Sequence, residues 1–182
     1  MQKDDDLIED IIDFWFSDEA RNKWFNSTPE FDDLLRGRYE KTWGLARAET
    51  YDHWEDEARG ALALIIILDQ FPLNMFREDA RQYSTEDHAR RIARHAIDAG
   101  LDKKLSKMQQ AFVYLPFMHS ESLEDQNLAV ELYQQAGLTD NLGYAQHHRG
   151  VIQRFGRFPH RNQALGRVST DEEIEYLKKA NW

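Results

Sequence analysis

The stretch from Trp54 to Gln70 constrains the fold more than any other part of the chain. Trp54, Ala58, Ala61, Leu62, Ile65 and Leu68 recur at helical spacing, and Leu64 and Ile67 widen the stripe until it covers most of the circumference. A helix apolar nearly all round belongs in the middle of a bundle. The β-branched run 65–67 leans locally towards strand, but the long periodic context outweighs it. The most apolar run, 61–68, has eight residues against the roughly 20 a membrane span needs, so it reads as a buried core helix. The spacing predicts a helix over 52–70, ended after Phe71 by Pro72.

Helical periodicity recurs along the rest of the chain. Leu7, Ile8, Ile11, Ile12 and Trp15 form one stripe, with Asp4, Asp5 and Asp6 at the positive end of its dipole. Thr28-Pro29-Glu30 opens a second helix, a capping hydroxyl followed by proline, with Phe31, Leu34, Leu35, Tyr39 and Trp43 on its inner face. Thr85 is expected to cap a helix that turns Ile92, His95, Ala96 and Ala99 inwards and stops at Gly100. Residues 106–118 follow, with Met108, Phe112 and Leu115 on one face. Ser122 caps 123–136 before Gly137, Asp140 or Asn141 caps 142–155 before Gly156, and Ser169-Thr170 opens the last helix as a capping box with Glu172 or Glu173. No segment sustains alternation. The class is all-α, with about eight helices in antiparallel pairs and a single domain over 1–182, because no Pro/Gly/Ser-rich linker interrupts the pattern.

Charge and cysteine usage then remove several functions. A formal charge of −10 is wrong for general nucleic-acid binding, which needs a basic face to neutralise phosphates. The chain has no cysteine, so disulfides, thiolate metal sites and cysteine nucleophiles are excluded, and a reducing cytosol fits. The acidic opening MQKDDDLIED lacks the basic and apolar regions of a secretory leader. The expected protein is therefore soluble and cytoplasmic, with no membrane partner, and Trp24, Trp43, Trp54 and Trp182 are candidates for a homodimer contact.

Against this acidic background one stretch stands apart. Nothing between Asp140 and Asp171 is acidic, and the interval holds Arg149, Arg154, Arg157, Arg161 and Arg167 with His147, His148 and His160 but no lysine. Arginine is favoured over lysine where a planar two-point contact to carboxylate or phosphate is made. Two readings follow. The stretch is either an internal clamp for carboxylates elsewhere in the fold or a site for an external anion. Asp69 is a natural internal partner: it falls four residues after Ile65, near the apolar face, where an unpaired charge would cost several kcal/mol.

Two further segments mix apolar residues with awkward polar groups, LDQFPLNMFR (68–77) and LPFMHSESLEDQ (115–126). The FWF at 14–16, the LDQFP, the LPFMHSE and the RFGRFPHRN-x-x-LGR closing with ST-x-E-E resemble, in order, the signatures of a bacterial family known as domain-of-unknown-function family 924. The resemblance spans nearly the whole chain, the ending KKANW being shorter than is common there. It implies an all-helical, tetratricopeptide-like fold and no established activity.

On this basis the chain is expected to be a binding or scaffold protein. Its candidate ligand-binding residues are Asp69, Gln70, His119, Glu121, His148, Arg154, Arg157, His160 and Arg161, for a peptide or small anionic group. The alternative is a small enzyme on an anionic substrate, with His119 or His148 as general acid or base. A metal set of His119, Glu121 and His148 or His160 has loose spacing and lacks a paired-histidine motif, so no metal is assigned. Ser120 lacks a nucleophile elbow, and Gly156 and Gly166 lack phosphate-loop patterns, so no nucleophile and no cofactor is assigned either.

Overall fold

A computed structural model describes residues 2–179, and they form an all-α structure without strands, as the periodicity predicts. The chain divides into two compact units. The first runs to Arg77 and takes up again over Arg81–Pro116; the second holds Glu78–Ala80 and everything from Phe117 onward. Trp182 lies outside the described residues.

The first unit contains α1 (Gln2–Trp15), α2 (Asp18–Arg21), α3 (Pro29–Arg47), α4 (Ala58–Ile65), α5 (Phe71–Met75), α6 (Glu86–Asp98) and most of α7 (Lys107–Met118). Helix α4 packs against α1 and α6, and residues 61–68 are at most 1% exposed. By length and composition Ala58–Met75 would suffice to cross a membrane, yet 78% of it is buried within the fold, the mark of a core helix. Thr28 caps α3 as expected, accepting from the Phe31 amide. Leu34 and Met108, expected on inner faces, are instead exposed. Trp43 and Trp54 are buried.

The central helix departs from the sequence reading at both ends. Residues 52–54 form a separate 3-10 turn, and the α-helix begins only at Ala58. The acids that precede it turn to another helix. Asp52 meets His88 and Arg91, Glu55 meets Arg91 and Asp56 meets His95, all on α6. Nor does Pro72 end the helix. A π-turn over Ile66–Gln70 sends the Phe71 N–H back to the Ile66 carbonyl, five residues earlier, and α5 continues to Met75. In an uninterrupted α-helix the Leu68 carbonyl would await an N–H from residue 72, which proline lacks. Here that carbonyl accepts the Thr85 hydroxyl at 2.5 Å. Thr85 also accepts from the Trp43 indole at 3.2 Å, so its side chain is not the cap of α6 that sequence predicts.

Asp32 accounts for the polar end of the 68–77 segment. This buried carboxylate on α3 accepts from Ser27 (2.7 Å), Asn74 (2.9 Å) and Arg77 (2.8 Å). Burial pushes its carboxyl up, but those three donors prevail and hold it below the ordinary range.

The second unit is built on α8 (Leu123–Ala136) and α9 (Thr139–Phe155), which pack together across Gly137 and Leu138. Gly137 (φ +69°) and Gly156 (φ +68°) take the left-handed conformation that stops each helix. Helix α9 starts three residues before the expected 142, because the Leu138 carbonyl already accepts the Leu142 amide at 2.9 Å. Its buried side is Ala145, Val151 and Ile152, while Tyr144 is 62% exposed. After a 3-10 turn at Pro159–Arg161 the chain enters α10 (Asp171–Leu177) through the predicted Thr170/Glu173 capping box.

Candidate functional site

The site lies in the second unit, where the arginine-rich segment 154–167 returns past α9 towards α10. Most of its guanidiniums are committed to carboxylates of the same unit. Arg157 grips both oxygens of Glu173, Nε to Oε1 at 2.6 Å and Nη2 to Oε2 at 2.8 Å, and Nη2 also donates to the Val168 carbonyl at 2.9 Å. Glu173 is buried and further accepts from the Thr170 amide at 2.8 Å. The Arg157 guanidinium, helped by Thr170, holds its carboxyl down to about 2.

Arg167 makes a second two-point pair with Glu121, both contacts at 2.8 Å, and the Phe158 amide donates to the same carboxylate at 2.8 Å. Burial works against this charge, but Arg167 and Phe158 outweigh it and keep Glu121 below the usual carboxylate range. Arg154 pairs with Glu172 at 2.7 Å on the exposed surface. The clamp reading therefore holds for Arg154, Arg157 and Arg167.

A different set gathers around Phe158, which is fully buried. His148 on α9 packs its ring against Phe158 at 5.5 Å between centroids, His160 lies at the same distance, and the Arg161 guanidinium sits 4.8 Å from the ring centre. Arg161, 5% exposed, donates Nη2 to the His119 carbonyl at 2.8 Å. His148 Nδ1 lies 2.9 Å from the Tyr144 carbonyl, an acceptor only, which places a proton on that nitrogen. Burial, then repulsion from His119, His147 and Arg161, lowers His148 to about 4. Burial and then Arg161, His148 and His119 lower His160 to about 3, with Glu121 pulling the other way. At neutral pH both imidazoles are uncharged beside a guanidinium.

Of the nine residues singled out from sequence, the second unit holds His119, Glu121, His148, Arg154, Arg157, His160 and Arg161. Arg154 stands apart with Glu172 at the surface, and Glu121 and Arg157 belong to the clamps. Asp69 and Gln70 lie in the first unit at the end of the π-turn, where the Gln70 amide donates to the buried Asp69 carboxylate. The Ser120 hydroxyl donates to Asp125 at 2.7 Å, a structural bond at the start of α8 rather than a link to a histidine. Sequence reasoning missed the partners Glu172 and Glu173 and the hub Phe158. The first two were visible as the ST-x-E-E that closes the arginine stretch; Phe158 had no signal beyond its place inside it.

Chemically, the Phe158 cluster gathers two neutral imidazoles and a guanidinium around an aromatic ring, and His148, whose Nδ1–H goes to Tyr144, carries its lone pair on Nε2. A family model described as "Bacterial protein of unknown function (DUF924)" matches residues 11–181, in agreement with the motifs. A solved structure of a protein of unknown function from Agrobacterium tumefaciens is similar over 96% of this chain and 98% of its own, with 40% identity and a TM-score of 0.89. No curated protein matches the chain.

Proposed function

The chain belongs to domain-of-unknown-function family 924, and from that premise we propose that it is a binding protein whose second unit takes up an anionic group at His119, His148, His160 and Arg161. The observation that carries this reading is the pair of uncharged imidazoles held against Phe158 beside the Arg161 guanidinium. Arg154, Arg157 and Arg167 pair with carboxylates of the same unit, and the reading rests on the imidazoles and guanidinium gathered at Phe158. The ligand class is a carboxylate or phosphate-type oxyanion, carried by a small molecule or a peptide.

A general acid–base enzyme works best with a histidine titrating near its operating pH. Values of about 4 and about 3 for His148 and His160 favour binding over that alternative. In this reading the protein acts in the cytosol, and the paired helices α8 and α9 serve as helix pairs do in repeat proteins that present a binding surface, an analogy of architecture. The test is thermal melting in sulfate, formate and chloride at matched ionic strength. Sulfate or formate should raise Tm for the wild type and for His88→Ala but not for His160→Ala. An equal rise in all three proteins, or none in any, would overturn the assignment.

A further inference from the structure

We propose that one edge of α9, the ridge of Gln146, Arg149 and Gln153, is a docking surface for an extended acidic peptide. A carboxylate side chain of the peptide meets Arg149, and its backbone meets the two carboxamides. The inference goes beyond the anion reading and does not use the Phe158 cluster. Helix α9 turns about 100° per residue, so Leu142, Gln146, Arg149 and Gln153 stack at i, i+4, i+7 and i+11 along one side. His148, one residue from Arg149, faces a different direction.

Arg149 belongs to the arginine stretch but to none of its clamps, which Arg154, Arg157 and Arg167 make with Glu172, Glu173 and Glu121. Among the described residues no carboxylate pairs with Arg149, and its Nε is shut off from solvent without an acceptor. The side chain is half-buried beside the inner face that Ala145 and Ile152 form, which leaves its two terminal nitrogens for a ligand. A guanidinium already stripped of part of its hydration gives up less water to an incoming carboxylate, and a two-point contact restores what burial removed.

Gln146 and Gln153 are exposed on either side of it along the ridge, and among the described residues no side-chain hydrogen bond engages them. A carboxamide donates and accepts at once, so each can pair with one peptide unit. Seven positions separate the two, about 10 Å of helix rise, the reach of about three extended residues. Charge selects the same occupant. Nothing between Asp140 and Asp171 is acidic, so the ridge carries its cation without a local competitor in sequence. Gly143 and Gly150 stand beside the ridge, and a Cβ at either meets nothing within 4 Å, so that flank is open.

The experiment is nitrogen-15 NMR of the full chain, following the side-chain N–H signals of Gln146, Arg149 and Gln153. The probes are a capped pentapeptide, Ser-Gly-Glu-Gly-Ser, its counterpart with glutamine in place of glutamate, and sodium acetate. The glutamate peptide should shift all three signals with one apparent affinity, and acetate should need at least about tenfold more. Arg149→Met, which removes the charge and keeps the bulk, should weaken peptide binding at least about tenfold. The pair Gln146→Ala/Gln153→Ala should weaken it about two- to tenfold. Lys104→Met, on the exposed part of the 3-10 turn at 102–104, should leave it unchanged. If Arg149→Met does not fold, the glutamine variant decides. Equal shifts with the two peptides, acetate as effective as the glutamate peptide, or no shift at these side chains overturns the docking surface. None of those outcomes bears on the Phe158 cluster.

Discussion

Arg157 and Glu173, 16 residues apart in sequence, meet as a two-point ion pair with contacts of 2.6 and 2.8 Å around a buried carboxylate. The same carboxylate completes the capping box of α10, so one side chain fixes both the arginine-rich return segment and the helix that follows it. With the Arg167–Glu121 pair, this makes most of the basic stretch a device for holding its own unit together.

Glu173→Ala should therefore be costly. The cap alone contributes about 1 kcal/mol, and Arg157 loses its partner as well. A fall in Tm of about 5 °C or more is expected in a chain of this size. Glu172→Ala, which removes only the exposed pair with Arg154, should shift Tm by at most about 2 °C. Thermal unfolding followed by circular dichroism measures both.

The Thr85 hydroxyl replaces the N–H that Pro72 cannot supply to Leu68, and it also receives the Trp43 indole. Thr85→Val keeps the volume but orphans two buried groups, at a cost of roughly 2–4 kcal/mol. Thr85→Ser should recover most of that loss. Urea denaturation at fixed pH distinguishes the two.

Glycines separate by environment. A Cβ at Gly60 would run into the Trp54 carbonyl, so Gly60→Ala should destabilise by about 1–3 kcal/mol. At Gly143 and Gly150, mid-helix in α9, a Cβ meets nothing within 4 Å. Gly143→Ala and Gly150→Ala should each stabilise by roughly 0.5–1 kcal/mol. Chemical denaturation of the three single variants checks the difference in sign.

Acid should act in two windows. His148 and His160 are held at about 4 and about 3, below the value near 6.5 of an unfolded histidine. The unfolded chain therefore binds more protons as pH falls below about 6.5, and each histidine removes up to about 1.4 kcal/mol of stability per pH unit down to its folded value. Glu173, held at about 2, contributes stability that is present above about pH 4.5 and lost as pH falls from there towards its folded value. In the double variant His148→Asn/His160→Asn, the loss between about pH 6.5 and about 4 should shrink while the lower window persists. Urea midpoints across that range measure it.

Much of this architecture is legible in local chemistry. Thr28-Pro29, Gly137, Gly156 and Thr170-x-x-Glu173 each mark a helix end by a mechanism confined to a few residues, and each end falls where sequence places it. The misreadings come from long-range partners. The acids at 52–56 pair with α6 residues 36 or more positions away, which no local pattern shows. Pro72 reads as a helix stop because the Thr85 hydroxyl that relieves it is 17 residues downstream from Leu68. The arginine stretch was recognisable by type, but its division between Arg157 and Arg167 as clamps and Arg161 among histidines depends on packing around Phe158.

The most direct measurement of the central claim is a sulfate titration followed by the ring proton signals of the seven histidines in solution. The account predicts that His119, His148 and His160 shift together with one apparent affinity, while His53, His88 and His95 stay still. Shifts confined to His53, His88 and His95, or the same weak drift at all seven, would contradict it.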